Sequence, residues 1–75
     1  MSSARIKADR LRLELARRGW HASDLASAAS VSAPTITSAM NGRPVSARTI
    51  AKIARALLTA PVIAGVEELL VGAGE

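Results

Sequence analysis

The chain has 75 residues, 49% of them hydrophobic, yet Trp20 is the only aromatic side chain. A domain of this size buries only about 60% of the surface its unfolded form exposes, so the sequence implies one small domain with a thin core of Ala, Val, Ile and Leu packed around Trp20. With no cysteine and one histidine, a disulfide framework, a thiolate nucleophile and zinc-finger spacings are excluded. The opening residues, Met-Ser-Ser-Ala-Arg-Ile-Lys, contain no apolar stretch of the kind a secretory leader needs, and the least polar run, Ala56 to Val66, is broken by Thr59 and Pro61. The expectation is a soluble, cytoplasmic protein.

The formal charge is +4, and its distribution is uneven. All ten Lys and Arg lie in residues 1–55, against Asp9, Glu14 and Asp24, a net of +7; the last twenty residues carry Glu67, Glu68 and Glu75 without a cation, a net of −3. A basic body with an acidic end points to a polyanion for the first part and to a different role for the second. A merely solvated cationic surface has the same composition, so charge alone does not choose the partner.

In chain order, β-branched residues never alternate over a strand length, and frequent alanine favours helix throughout. A first helix is expected from about Ala4 to Arg18, with Ala4, Ala8, Leu11 and Leu15 on one face and Arg5/Asp9, Arg10/Glu14 and Glu14/Arg18 as i,i+4 pairs. Gly19 ends it. Ile6 and Leu13 fall on its opposite side, facing a later segment or a second subunit. A second helix covers Ala22 to Ala29, with Leu25 and Ala29 inward and Asp24 in the first turn, where a carboxylate suits the helix dipole. His21 stands at its N-cap position, although Ser23 caps better if the helix starts later.

Ser30-Val31-Ser32 then makes a tight turn, and a third helix runs from Ala33 to Met40. The Ser32 hydroxyl reaches the Thr35 amide, and Pro34 in the first turn sacrifices no intrahelical bond. Asn41-Gly42 stops this helix, and Arg43-Pro44-Val45 reads as a loop. A fourth helix, capped by Ser46, extends to about Leu58 with Ile50, Ile53, Ala54 and Leu57 as its apolar face. Thr59 to Gly65 reads either as loop or as a short helix entered through Pro61, and Val66 to Val71 as a final short helix. The fold class is all-α, with four or five helices in a single domain spanning 1–75, in which 59–75 is a dimerisation or linker segment.

Two short helices joined by a turn of about three residues form a helix-turn-helix, whose second helix enters the DNA major groove. The unit needs a small residue where the helices cross, supplied by Ala26, and apolar residues at the turn and on the buried face, supplied by Val31, Ile36 and Ala39. The segment from His21 to Gly42, HASDLASAASVSAPTITSAMNG, resembles the motif of the Cro/phage-repressor (Xre-like) family. The likeness extends from Leu11 to Leu58, and the ending from Thr59 to Val71 is similar to small phage and prophage regulators. The resemblance implies a compact lambda-repressor-like fold and sequence-specific binding of double-stranded DNA by a transcriptional repressor, acting in the bacterial or infected-host cytoplasm on the nucleoid. Two departures stand out. Ser30 occupies a turn position where the family usually has Gly, and Ala22 replaces the Gln that often opens the first helix of the motif against a phosphate.

Carried over by position, the resemblance makes Ala33, Pro34, Thr37 and Ser38 base-facing. Ala22 (through backbone amides), Thr35, Asn41, Arg43 and Arg48 lie toward phosphates. None of the four base-facing residues offers the bidentate bonding that reads guanine or adenine. Methyl contacts to thymine, single hydroxyl bonds and shape remain. Arg5 and Lys7 are candidates for an arm along the DNA; Arg10, Arg12, Arg17 and Arg18 are weaker candidates for DNA contact, since several of them are claimed by helix pairs. Trp20 and Met40 read as core, and His21 as cap or surface. Val66, Leu69 and Leu70 read as a homodimer contact or as core.

Asp9, Glu14 and Asp24 are scattered among cations and form no acid–base pair, and no Gly-rich phosphate loop is present, so catalysis and cofactors are not expected. An Arg-rich first helix lying on a membrane lacks the aromatic anchor such helices use, and no small-molecule substrate is implied. The alternative function is a protein-interaction adaptor or antitoxin built on the same fold, consistent with the weakly hydrogen-bonding third helix.

Overall fold

The computed structural model describes residues 3–63 and Gly65. The described residues form four helices, α1 (Ala8–Arg17), α2 (Ala22–Ala29), α3 (Ala33–Met40) and α4 (Ala47–Thr59), with two-residue strands β1 (Ser3–Ala4) and β2 (Val45–Ser46). The fold is an all-α helix-turn-helix domain of helical elements around one core. The final helix expected at Val66 to Val71 lies outside the described residues.

The first helix is shorter than its composition suggests. Ser3–Ala4 pairs antiparallel with Val45–Ser46, Ser3 opposite Ser46 and Ala4 opposite Val45. Lys7 is extended (φ −66°, ψ 110°), so α1 starts at Ala8 and Arg5 sits outside it, where it forms no helical pair with Asp9. The pairing delivers Val45 to the core at 7% exposure. Burying such a side chain stabilises by about 1.5–3 kcal/mol, more than the few tenths per residue by which propensity favours one extra helical turn. Val45 is therefore strand rather than loop.

The core consists of Leu11 and Leu15 from α1, Leu25 and Ala29 from α2, Ile36 and Ala39 from α3, Val45 from β2, and Ile53 and Ala56 from α4. Leu25 and Ile36 are its largest fully buried side chains. Trp20, expected at the centre, is half-buried and packs on the rim with Ile6, Val31, Met40, Ile50 and Leu57. On α4, Ile53 is buried and Ile50 and Leu57 pack against the core as expected, but Ala56 rather than Ala54 completes the inward face, Ala54 being exposed. Ile6 is explained by an apolar hollow of about 200 Å³ that it lines with Leu11, Ile50 and Leu57. Leu13, on the other flank of α1, lines a separate surface hollow with Lys7 and Asp9.

Helix α4 stops because Ala60 precedes Pro61, and a residue before proline is pushed out of the helical region; Ala60 is extended at φ −93°, ψ 128°. Residues 60–63 are non-helical and return toward α1, where the Ile63 amide donates to the Arg17 carbonyl at 2.9 Å. Gly19 is required there twice over. Its φ is +67°, and a Cβ would lie 2.9 Å from Ile63 Cδ1.

Three arginines of α1 and its C-cap converge on one acid. Glu14 pairs with Arg10 at 3.1 Å, Arg17 at 3.2 Å and Arg18 at 2.7 Å. Arg18, only 10% exposed, also donates to the carbonyl of Glu14 at 2.9 Å, to that of Leu57 at 3.0 and 3.2 Å, and to that of Ala60 at 3.3 Å. One guanidinium thus satisfies carbonyls at the end of α4 that the helix leaves without internal partners, and clasps α4 to α1. The Arg18 hydrogen bond, helped by the charges of Arg17 and Arg10 and opposed by partial burial, holds the Glu14 carboxyl below the usual carboxylate range.

A lowered carboxyl pKa stabilises the fold above the ordinary value near 4.3 and loses that contribution as pH falls through the lowered one. Urea melts of Glu14→Gln should show a loss on the order of 1–3 kcal/mol at pH 7, with the gap to the parent closing as pH falls below the ordinary carboxylate range. A pH-independent gap would assign the effect to packing.

Candidate nucleic-acid interface

The segment from α2 to α3 is shaped by its ends. At the start of α2, His21 occupies the N-cap position rather than Ser23, and its amide donates to Asp24 Oδ2 at 2.7 Å. At the other end, Ser30 is left-handed (φ 57°, ψ 47°), the Val31 amide donates to the Ala26 carbonyl at 3.0 Å, and the Ser30 amide to that of Ser27 at 3.2 Å. This is a Schellman closure, in which a left-handed residue lets its own amide and the next one satisfy the last carbonyls. It also seats Val31 beside Ala26 against the core.

The same closure ends the neighbouring helices. After α1, Gly19 and Trp20 donate to Ala16 and Leu15; after α3, Gly42 (φ +71°) and Arg43 donate to Ala39 and Ser38, at 3.1 and 2.9 Å in each case. Ser30 is the one non-glycine in the three left-handed positions. At the N-termini, Ser32 Oγ accepts the Thr35 amide at 3.4 Å and shares a 2.8 Å hydrogen bond with Thr35 Oγ1. Ser46 Oγ likewise accepts the Thr49 amide at 3.1 Å and donates to Thr49 Oγ1 at 2.9 Å.

Ile36 and Ala39 face the core, and Ala33, Pro34 and Thr37 are exposed on the opposite side of α3. Ser38 is half-buried at the edge of that face, with its carbonyl occupied by the Asn41 and Arg43 amides. Thr35 is half-buried, its hydroxyl engaged with Ser32. Asn41 and Arg43 are exposed where the chain leaves α3, and Arg48 is exposed in the first turn of α4. The side chain of Ala22 packs against the core, leaving only its helix end for an anion, an end that the Asp24 carboxylate already shares. Arg5 and Lys7 follow a strand tied to β2, so they are tethered rather than a loose arm.

Sequence reasoning placed Arg10, Arg17 and Arg18 near DNA only weakly, and their convergence on Glu14 accounts for them. It left Arg12 unresolved. That residue spans from α1 to the end of α3, where Nη2 donates to the Met40 carbonyl at 3.0 Å. A spacing of 28 residues between partners leaves no local signal. Among the described residues, no group of three or more His, Cys, Asp or Glu is placed to hold a metal, and no helix is long and apolar enough to cross a membrane.

Two capped helices crossing at small residues, a three-residue turn, and a second helix with its outer face open define a helix-turn-helix module. The chain belongs to the helix-turn-helix domain family, whose model matches residues 8–63, in keeping with the Xre-like resemblance of the motif. The family fold is that of DNA-binding regulators and is typically non-enzymatic. A search of the curated proteins and of the solved structures found no match to the chain.

A left-handed non-glycine residue costs about 1–2 kcal/mol, offset in part by the greater freedom of glycine in the unfolded chain. Ser30→Gly should therefore raise the melting temperature by about 2–8 °C in a calorimetric scan. An unchanged or lower value would mean that the Ser30 side chain contributes in its own right.

Proposed function

We propose that the chain is a sequence-specific regulator of transcription, a repressor of phage or prophage type, that inserts α3 into the major groove of double-stranded DNA in the cytoplasm. The observation that carries this reading is the open outer face of α3, which begins at a serine cap and ends among Asn41, Arg43 and the first turn of α4 with Arg48. In it, Ala33, Pro34, Thr37 and Ser38 meet base edges, and Thr35, Asn41, Arg43, Arg48 and the α2 amides at Ala22 meet phosphates. The helix dipole at the start of α4 adds to the attraction of Arg48 for an anion.

The family match, the net charge of residues 1–55 and the small side chains on α3 support this division of labour. Phosphate contacts supply most of the affinity, and contacts to thymine methyl groups with DNA shape supply modest selectivity. One module reads only a few base pairs, so an operator calls for two copies about 34 Å apart along the duplex. Val66, Leu69 and Leu70, outside the described residues, are the proposed homodimer contact, with 59–75 the segment that carries it.

Two substitutions separate the roles. Arg43→Ala with Arg48→Ala should weaken binding to every duplex and reduce the slope of log K against log salt by about 1.8, two phosphates' worth. Thr37→Ala should change the preference among sequences selected from a random pool more than it changes affinity for random DNA. Equal losses on selected and random duplexes would remove Thr37 from base reading. Absence of any salt-dependent duplex binding by the parent chain would favour the adaptor alternative, to which an α3 face without bidentate donors is equally suited.

A further inference from the structure

The cations of residues 1–55 are not equally available to a polyanion. Arg10, Arg17 and Arg18 meet Glu14, and Arg18 is further occupied by carbonyls of Leu57 and Ala60. Arg12, on the same helix, has no carboxylate partner among the described residues and is exposed; its one hydrogen bond is to the Met40 carbonyl. That bond holds the guanidinium at the end of α3 from which Asn41 and Arg43 emerge, where the helix dipole also favours a cation.

Accepting by one carbonyl uses one of the five N–H donors of an arginine. The remaining donors belong to an exposed residue, so they are open to an oxygen ligand. A free surface arginine gives up rotamer freedom when it engages a ligand; one already held by a backbone carbonyl has surrendered much of that freedom on folding.

We infer that Arg12 is a phosphate-binding residue of the DNA interface, positioned in advance by the Met40 carbonyl and continuing the row begun by Asn41 and Arg43. The inference rests on the DNA-binding reading above. It differs from a purely structural cap in what it does to salt dependence. A cap affects the melting temperature and leaves the number of released counterions unchanged, whereas a phosphate ligand alters that number.

Fluorescence anisotropy of the full chain with a random-sequence duplex across a salt series tests it, using Arg12→Gln, Arg12→Lys and, as a control cation on α4, Lys52→Gln. Thermal melts confirm that each variant is folded at the assay temperature. Arg12→Gln should lower the salt slope by about 0.9, the value of one phosphate, and weaken binding on both random and selected duplexes. Arg12→Lys should keep the slope, and Lys52→Gln should leave both slope and affinity as in the parent. A slope for Arg12→Gln equal to that of the parent overturns the inference and leaves Arg12 a cap of α3, with the DNA-binding reading intact. A parent chain that binds no duplex at low salt overturns that broader reading instead.

Discussion

A helix of eight residues makes barely two turns, and in water a segment that short does not hold itself together. Everything proposed for this protein depends on how α3 is nevertheless fixed in place. Ile36 and Ala39 are its only fully buried side chains, with Met40 packed at the rim, so its ends carry much of the task. Ser32 and Pro34 set the entry, the Gly42 and Arg43 amides close the exit, and Arg12 ties the Met40 carbonyl to α1. A cap contributes on the order of 1 kcal/mol, a substantial share of the margin in a domain with so thin a core. Pro34 is the one outward-facing side chain among these anchors, so Ala33 and Thr37 on the exposed face of α3 can change without unfolding the helix.

Below that helix the same economy recurs. A core of Leu, Ile, Val and Ala offers no large aromatic around which elements can be arranged, and Trp20 lies at the rim. Polar clasps take over part of the positioning. Arg18 joins the end of α1 to the end of α4, and the Ser3–Ala4 pairing draws the N-terminal segment across the α3–α4 connection. Both bridge distant parts of the chain, and the strand pairing restricts the connection that bears Arg43 and precedes Arg48.

The parts that could be read from sequence are those whose causes are local. The bounds of α2 and α3 follow from Ser32, Pro34, Asn41-Gly42 and the inward spacing of Leu25, Ala29, Ile36 and Ala39, each decided within a few residues. Ser30 stood out only through the resemblance, as a residue where the family usually has Gly, and its left-handed backbone shows why glycine suits that turn. Where causes were distant, the reading erred. Two residues are too few to alternate, so Ala4 read as the start of a helix, and only its partner Val45, 41 positions on, shows otherwise. One position on the inward face of α4 was misread because Ala54 and Ala56 are indistinguishable by composition, and Ala56 is the one beside the end of α2. The roles of Arg12 and Arg18 depend on carbonyls that sequence does not display. For the interface itself, the motif supplied the positions, and the structure adds which of their hydroxyls and carbonyls are already engaged.

That engagement bears on how such a surface would discriminate among sequences. Thr35 spends its hydroxyl on Ser32, and Ser38 is half-buried, so on the proposed reading Thr37 is the most open hydrogen-bonding side chain on the outer face of α3. Small neighbours, Ala33 and Pro34, allow the helix backbone to approach the base edges more closely than long side chains would, favouring methyl and shape contacts over bidentate bonds. If each half-site distinguishes its sequence by about 3 kcal/mol, the ratio is near 150-fold, too little against the many competing sites of a genome. Two half-sites bound together add those energies and multiply the ratios to roughly 20,000-fold. On the proposed reading, a weakly reading helix and a means of pairing two copies would be parts of one requirement: the less each α3 distinguished, the more a regulator would depend on being doubled.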